Sequence, residues 1–228
     1  MKTFGTIIFS IAITTDIFCL ASDQDLYKEI SFLTTDKGNI VANLYGKGDH
    51  AVVLAHGAIF NKESWHHLAV TLSEHDFMVM SIDFRGYGKS VAGSKKKALD
   101  EDVTGAFNYL KSKGAKKISL IGGSMGGGAV AQAATMAQKG NLYRVILLSP
   151  VPIGNPEQIK ADKLLFIASK NERMMPRIQE QYNRAPQPKT LELLEGNAHA
   201  QHIFNTDKAQ RLTDLIIKFL SDTESINQ

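Results

Sequence analysis

A chain of 228 residues that is 43% apolar and 21% charged carries enough material for one substantial core, and its composition is neither fibrous nor disordered. The formal charge of +3 is too small to point to nucleic acid, and the densest basic run, Lys95-Lys96-Lys97 beside Gly93-Ser94, reads as a solvated loop. No Pro/Ser-rich linker, internal repeat or low-complexity tract divides the chain, so one domain is expected.

The first residues stand apart from that domain. Lys2 precedes the apolar stretch Phe4 to Ile13, and a second apolar patch ends in Cys19-Leu20-Ala21-Ser22 before the polar Asp23-Gln24-Asp25. This is the layout of a secretory signal. Residues 1–22 are therefore expected to be a cleaved signal peptide and residues 23–228 the folded domain, in a secreted or periplasmic protein. Asp16 interrupts the apolar run and counts against a permanent membrane span; a buried N-terminal helix is the competing reading. The only cysteine, Cys19, falls within the segment, so a mature chain would have no thiol for a disulfide, a nucleophile or a metal site.

From Tyr27 the alternation predicts strands over about Glu29 to Thr34 and Asn39 to Tyr45, joined as a hairpin by Thr35-Asp36-Lys37-Gly38. Ala51 to Ala55 is a continuous apolar run, as in a strand buried on both faces. After the loop His56-Gly57-Ala58-Ile59-Phe60, the segment Lys62 to His75 places Trp65, Leu68, Ala69 and Leu72 at helical spacing, which makes Trp65 a core residue. Phe77 to Ile82 reads as strand, Asp100 to Ser112 as helix, Ile118 to Ile121 as strand and the alanine-rich stretch after it as helix. Arg144 to Leu148 and Lys163 to Ala168 read as strands, Arg177 to Arg184 as helix, Thr190 to Leu194 as strand and Thr206 to Leu220 as a closing helix. Strands alternating with helices imply an α/β fold: a mostly parallel central sheet with helices on both faces and active groups at the carboxyl ends of its strands.

The most informative stretch is Gly122-Gly123-Ser124-Met125-Gly126. A Gly-x-Ser-x-Gly turn between an apolar run and a small-residue segment is the setting of a nucleophile elbow, in which the serine hydroxyl is held exposed at a helix N-terminus. There the Met125 amide and the positive end of the helix dipole face a developing oxyanion. A phosphate loop fits poorly, because no Gly-x-Gly-x-x-Gly is present and no Lys-Ser or Lys-Thr follows the glycines.

With His56-Gly57 after one strand, Asp83-Phe84-Arg85-Gly86-Tyr87-Gly88 after the next, the Ser124 elbow and Gly196-Asn197-Ala198-His199 after the last, the chain resembles the α/β-hydrolases. The resemblance spans nearly all of the chain beyond the signal. It implies a serine hydrolase with chain order nucleophile, acid, histidine, acting on carboxylic esters through an acyl-enzyme, and with no cofactor. It also implies His199 as the general base, with His202 the alternative three residues on, and His56 as a structural organiser of the oxyanion loop. His66 and His67 are adjacent rather than four apart, which does not suit a metal pair, and no metal is expected. His50 and His75 read as surface residues near turns. The acid is expected just beyond the strand Lys163 to Ala168, where the segment offers only Glu172, with Glu157 the remaining alternative; Asp83 suits a structural hydrogen-bonding role better. Position alone implies the Ala58 amide as second oxyanion donor, with Ile59 as substitute, and Ile59, Phe60 and Met125 are candidates to line an acyl pocket.

Many members of the family insert a helical cap between the first and second strands after the elbow helix. Here that interval is Pro150 to Asp162, which with Pro150, Pro152 and Pro156 near its start is too short and irregular to roof a cleft. The expected partner is a small-molecule ester, with no nucleic acid. A peptidase, thioesterase or acyltransferase using the same residues, or a noncatalytic binding protein of the same fold, are the competing functions.

Overall fold

The computed structural model describes residues 26–222. The expected signal peptide, residues 1–22 with Cys19, lies outside the described residues. The sheet comprises β1 (Tyr27–Leu33), β2 (Asn39–Tyr45), β3 (His50–Ala55), β4 (Phe77–Ile82), β5 (Lys117–Gly123), β6 (Arg144–Leu148), β7 (Lys163–Ser169) and β8 (Lys189–Leu194). Their spatial order is β1-β2-β4-β3-β5-β6-β7-β8. β1 and β2 make the expected antiparallel hairpin, β2 runs antiparallel to β4, and the pairings from β4 to β8 are all parallel.

The helices are α1 (His66–Glu74), α2 (Leu99–Ser112), α3 (Met125–Met136), α4 (Met175–Arg184) and α5 (Ala209–Ser221). They cover both faces, and for that reason the central strands are apolar throughout rather than alternating. Along β3, Val53 and Ala55 join a core with Val103, Ala106 and Leu110 of α2 and Val130 and Ala134 of α3. Val52 and Leu54, pointing the other way, join Leu68 and Leu72 of α1 and Leu212 and Ile216 of α5. In α5, Leu212, Ile216 and Leu220 are buried at a spacing of four, while Arg211, Asp214 and Lys218 face solvent. Each such buried Leu or Ile contributes about 1.5–3 kcal/mol. Asp100, Glu101 and Asp102 occupy the first turn of α2, where their charge suits the positive helix end.

Three local differences from the sequence reading have physical causes. Lys62–Trp65 forms a 3-10 turn before α1, and Asn61 Oδ1 caps its start by accepting from the Ser64 amide at 3.2 Å. The closing helix starts at Ala209, since Ala200–Asn205 is a separate 3-10 turn that carries the chain back across the strand ends. His50 is not a surface residue near a turn: it opens β3 and packs edge-on to Phe77 and Tyr143, and its Nε2 pairs with Ser119 Oγ at 2.7 Å. Burial, with Lys117 and Arg144 close by, lowers its pKa to about 4.

Buried ion pairs fix the loops that follow β3 and β4. Arg85 reaches Asp102 Oδ1 at 2.7 Å and Asp36 Oδ2 at 2.9 Å, tying the loop after β4 to α2 and to the hairpin turn. Asp83 accepts from the Lys62 amide at 2.8 Å and from its ammonium at 3.0 Å, the structural role expected of it. Such pairs add little net stability over an apolar replacement, but removing one partner leaves a buried charge, so they enforce geometry. Between β6 and β7 the chain makes only the 3-10 turn Pro156–Gln158, and there is no cap.

Candidate active site

Ser124 joins β5 to α3 with φ 51° and ψ −112°, a conformation a non-glycine residue adopts only under constraint. The constraint is a set of backbone hydrogen bonds: the Ser124 amide donates to Leu148 O at 2.9 Å, and Ser124 O accepts from Val151 and Gly128 amides at 3.0 and 3.1 Å. The glycines on either side are required by close approach. A Cβ on Gly122 would lie 2.3 Å from Gly126 O, and one on Gly126 would lie 2.2 Å from Ala55 O. The strain costs about 1–3 kcal/mol and leaves the hydroxyl half-exposed at the end of α3.

His199 comes to this hydroxyl from the loop after β8, with Nε2 2.9 Å from Ser124 Oγ. Its Nδ1 lies 2.5 Å from Glu172 Oε2, on the turn after β7. Glu172 is acceptor-only as a carboxylate, so Nδ1 carries the ring proton and Nε2 is left to accept from Ser124. The glutamate is not the surface carboxylate that a loop position could have made it: its side chain is 1% exposed, and Lys170 pairs instead with Glu195.

The two loops are joined by several contacts that the sequence did not announce. The Lys170 amide donates to Leu194 O at 2.8 Å and the Asn171 amide to Gly196 O at 2.9 Å, continuing the pairing of β7 with β8 beyond the sheet. Ser169 Oγ donates to Ala198 O at 2.6 Å. Ser149, at the end of β6, donates from Oγ to Glu172 Oε1 at 2.6 Å and accepts from the Ala200 amide at 3.1 Å. One hydroxyl thus holds both Glu172 and Ala200, the residue following His199. No spacing rule marks Ser149; the only signal is its place at the carboxyl end of a buried strand.

On the opposite side of Ser124 lies the loop after β3. Gly57 approaches so closely that a Cβ on it would stand 3.5 Å from Ser124 Cβ. His56 is buried, which lowers its pKa and keeps the ring neutral. Its Nε2 accepts from the Phe84 amide at 3.2 Å, so Nδ1 donates to Gly57 O at 2.8 Å. Phe60 N–H donates to the same carbonyl at 3.0 Å. Across a trans peptide the Ala58 N–H points opposite to the Gly57 carbonyl, so anchoring that oxygen aims the Ala58 amide. Neither the Ala58 nor the Met125 amide is used as a donor by another group among the described residues. Tyr87 closes the arrangement by donating from its hydroxyl to Ala58 O at 2.9 Å, and its ring packs edge-on to His56.

Residues 46–221 match the family model for serine aminopeptidase, S33. The chain belongs to this α/β-hydrolase family. A non-heme chloroperoxidase of Streptomyces lividans is 32% identical over 133 residues, covering 57% of this chain and 46% of that protein. The chain thus spans about half the length of that curated relative, and less of a human protein, ABHD12B, of which it matches 26% at 28% identity. Among solved structures, an esterase of Pyrococcus furiosus superposes with a TM-score of 0.73 at 18% identity, covering 87% of this chain and 93% of that one. That structural likeness is one of fold.

The competing residues of the hydrolase lie elsewhere. His202 is exposed, with its ring 5.1 Å from that of Phe60. Glu157 is exposed and paired with Arg184 Nη2 at 2.9 Å. Ile59 is 78% exposed on the rim, whereas Phe60 and Met125 are half-buried. Among the described residues no three His, Cys, Asp or Glu side chains gather as a metal site requires, and no helix is long and apolar enough to cross a membrane.

Proposed function

We propose that this hydrolase cleaves carboxylic esters through an acyl-enzyme, with Ser124 as nucleophile, His199 as general base and acid, Glu172 as the histidine's partner, and the Ala58 and Met125 amides as oxyanion donors. The carrying observation is the unbroken line of hydrogen bonds Ser124–His199–Glu172, at 2.9 and 2.5 Å, starting from a strained serine at a helix N-terminus.

In this reading Ser124 Oγ attacks the ester carbonyl as His199 Nε2 takes its proton, and the buried Glu172 carboxylate stabilises the imidazolium. Charge on the carbonyl oxygen is met by the two amides, which are already oriented before substrate arrives and so cost no reorganisation. Collapse of the tetrahedral species breaks the bond to the alkoxide, and His199 returns the proton to it. Water, activated by the same histidine, then cleaves the acyl-enzyme and restores Ser124.

The fold shared with an esterase supports ester bonds, and the family's description as a serine aminopeptidase supports a peptide substrate as the second reading. A panel of ester, thioester and aminoacyl-amide substrates on the mature chain separates them. Hydrolysis of aminoacyl amides at rates equal to esters rejects the ester reading, and absence of fluorophosphonate labelling at Ser124 rejects a serine hydrolase altogether. We also propose a secreted or periplasmic enzyme, on the layout of residues 1–22; N-terminal sequencing of the protein recovered outside the cytoplasm tests this, and an intact Met1 rejects it.

A further inference from the structure

The loop that carries Ala58 and the turn that carries His199 are bridged by one side chain. Gln201 stands two residues after the histidine in the 3-10 turn Ala200–Asn205 and is 3% exposed. Its Oε1 accepts from the Gly57 amide at 2.7 Å, and its Nε2 donates to Ser64 Oγ at 2.7 Å. The orientation of the amide is fixed by chemistry, because the Gly57 N–H is a donor and only the oxygen can meet it. The same side chain packs under the elbow: a Cβ on Gly123 would lie 3.3 Å from both Gln201 Cγ and Oε1.

Gly57 is the flexible point of the oxyanion loop, since glycine has no Cβ to limit its φ and ψ. Holding the peptide plane on each side removes that freedom. The plane after Gly57 is held through its carbonyl by His56 Nδ1 and Phe60 N–H, as described above. The plane before it is held by Gln201 alone among the described side chains. Without this acceptor the Gly57 N–H would be a buried, unmatched donor, and the loop would relieve it by turning, carrying the Ala58 amide with it.

We propose that Gln201 is a positioning residue for the oxyanion hole: it fixes the backbone of Gly57, thereby aims the Ala58 amide, and couples that amide to the turn bearing the general base. It also keeps the Gly57 amide occupied, so that Ala58, not Gly57, faces the oxyanion. The inference rests on the serine-hydrolase reading above. It predicts an effect confined to the transition state, because an oxyanion donor contributes little until charge develops.

The test is steady-state kinetics on a small soluble ester, the affinity of an aryl boronic acid that forms a tetrahedral adduct with Ser124, and the rate of fluorophosphonate labelling. Gln201→Leu, similar in size but without an acceptor, is expected to lower kcat by about ten- to a hundredfold, less than the loss of a whole donor. KM should stay within about twofold, while the boronic acid weakens by the same factor as kcat/KM. A folded Gln201→Leu with kcat within about threefold of wild type overturns the proposal, as does a rise in KM with kcat intact, which would make Gln201 part of a substrate surface. Should Gln201→Leu fold poorly, Ser64→Ala, at an exposed position where it removes the anchor of Nε2 together with a local bond to Asn61 O, is expected to lower kcat about threefold, and an unchanged kcat there overturns it. A wild type that neither labels nor hydrolyses any ester defeats the serine-hydrolase reading and this proposal with it. That result differs from an active, labelled wild type indifferent to Gln201.

Discussion

Ser149 and Glu172 meet through a 2.6 Å hydrogen bond in which the serine hydroxyl donates to Oε1, the carboxylate oxygen that His199 does not use. Ser149 sits at φ 44°, a strained value for serine, so the chain accepts a local cost to place that hydroxyl. Ser149→Gly separates the two effects, since glycine suits the backbone angle and removes the hydroxyl. The relieved backbone should offset part of the stability lost with the two hydrogen bonds, so the protein stays folded while kcat falls about tenfold or more, the usual worth of a hydrogen bond to a charged group. Unchanged kcat in a folded Ser149→Gly would leave the serine a purely architectural residue.

Glu172→Gln should lower kcat by about three to four orders of magnitude, because an amide in place of the acceptor favours the wrong tautomer of His199. Glu157→Gln should leave kcat near wild type, since Glu157 is exposed and spent on Arg184. The reverse pattern reassigns the acid.

Ser124→Ala removes one hydroxyl and little packing, so the protein should remain folded while hydrolysis falls by about four to six orders of magnitude. Turnover within about tenfold of wild type is incompatible with Ser124 as nucleophile.

His50 gives a pH dependence that belongs to stability rather than catalysis. Its pKa is lowered to about 4 in the fold, by burial and by Lys117 and Arg144, against an ordinary value of 6.5. Below pH about 6.5 the unfolded chain takes up a proton that the native ring refuses, so stability falls with pH down to about 4 and the loss then levels off. Allowing for solvent screening of a partly buried ring, the contribution is about 1–2 kcal/mol. His50→Gln should flatten the stability profile between those limits in urea titrations; an unchanged slope assigns it to other groups.

The fold was legible because its signals are local. Apolar runs such as Val145 to Leu148 have no other use than a strand covered on both faces, and Gly122, Ser124 and Gly126 carry the elbow in a spacing that sterics demand. Glu172 and His199 were legible only through likeness to a family, since nothing in a sequence separation of 27 says that two loops will meet. Ser149 and Gln201 left no trace, because a single hydroxyl or amide becomes meaningful only when distant strands are set side by side. His50 misled for a related reason: a polar residue beside Asp49 looks like a turn until Phe77 and Tyr143 close over it.

Access to Ser124 is the last consequence of the architecture. The segment after β6 passes directly beside Ser124, with Val151 N–H on Ser124 O at 3.0 Å, but then forms only the turn Pro156–Gln158 before β7. It borders the site and does not roof it. The other segment able to serve as a lid runs from Val91 to Leu99, and it is fastened at its base: Asn39 and Val91 exchange backbone hydrogen bonds at 2.9 and 2.8 Å, the Ser94 amide donates to Asp36 O at 3.0 Å, and the Lys95 amide donates to Asp36 Oδ2 at 2.9 Å. Asp36 is itself held by Arg85, whose hydrogen bonds keep its carboxyl well below the usual carboxylate range. That segment cannot close over Ser124 without giving up these hydrogen bonds to Asn39 and Asp36. With Ile59 78% and Val151 37% exposed on the rim, the apolar surface offered to an acyl chain is shallow. Short acyl esters should therefore be preferred, since each methylene beyond the rim stays in water and gains nothing of the about 0.8 kcal/mol that burial would give. Rates should also rise smoothly through the micelle threshold, there being no lid among the described residues for an interface to open. The measurement is kcat/KM for a series of esters of increasing acyl length, each below and above its threshold. A sharp rise at the interface, or a preference for long acyl chains, would require a covering segment, and disrupting the Asn39–Val91 pairing would show whether Val91 to Leu99 supplies it.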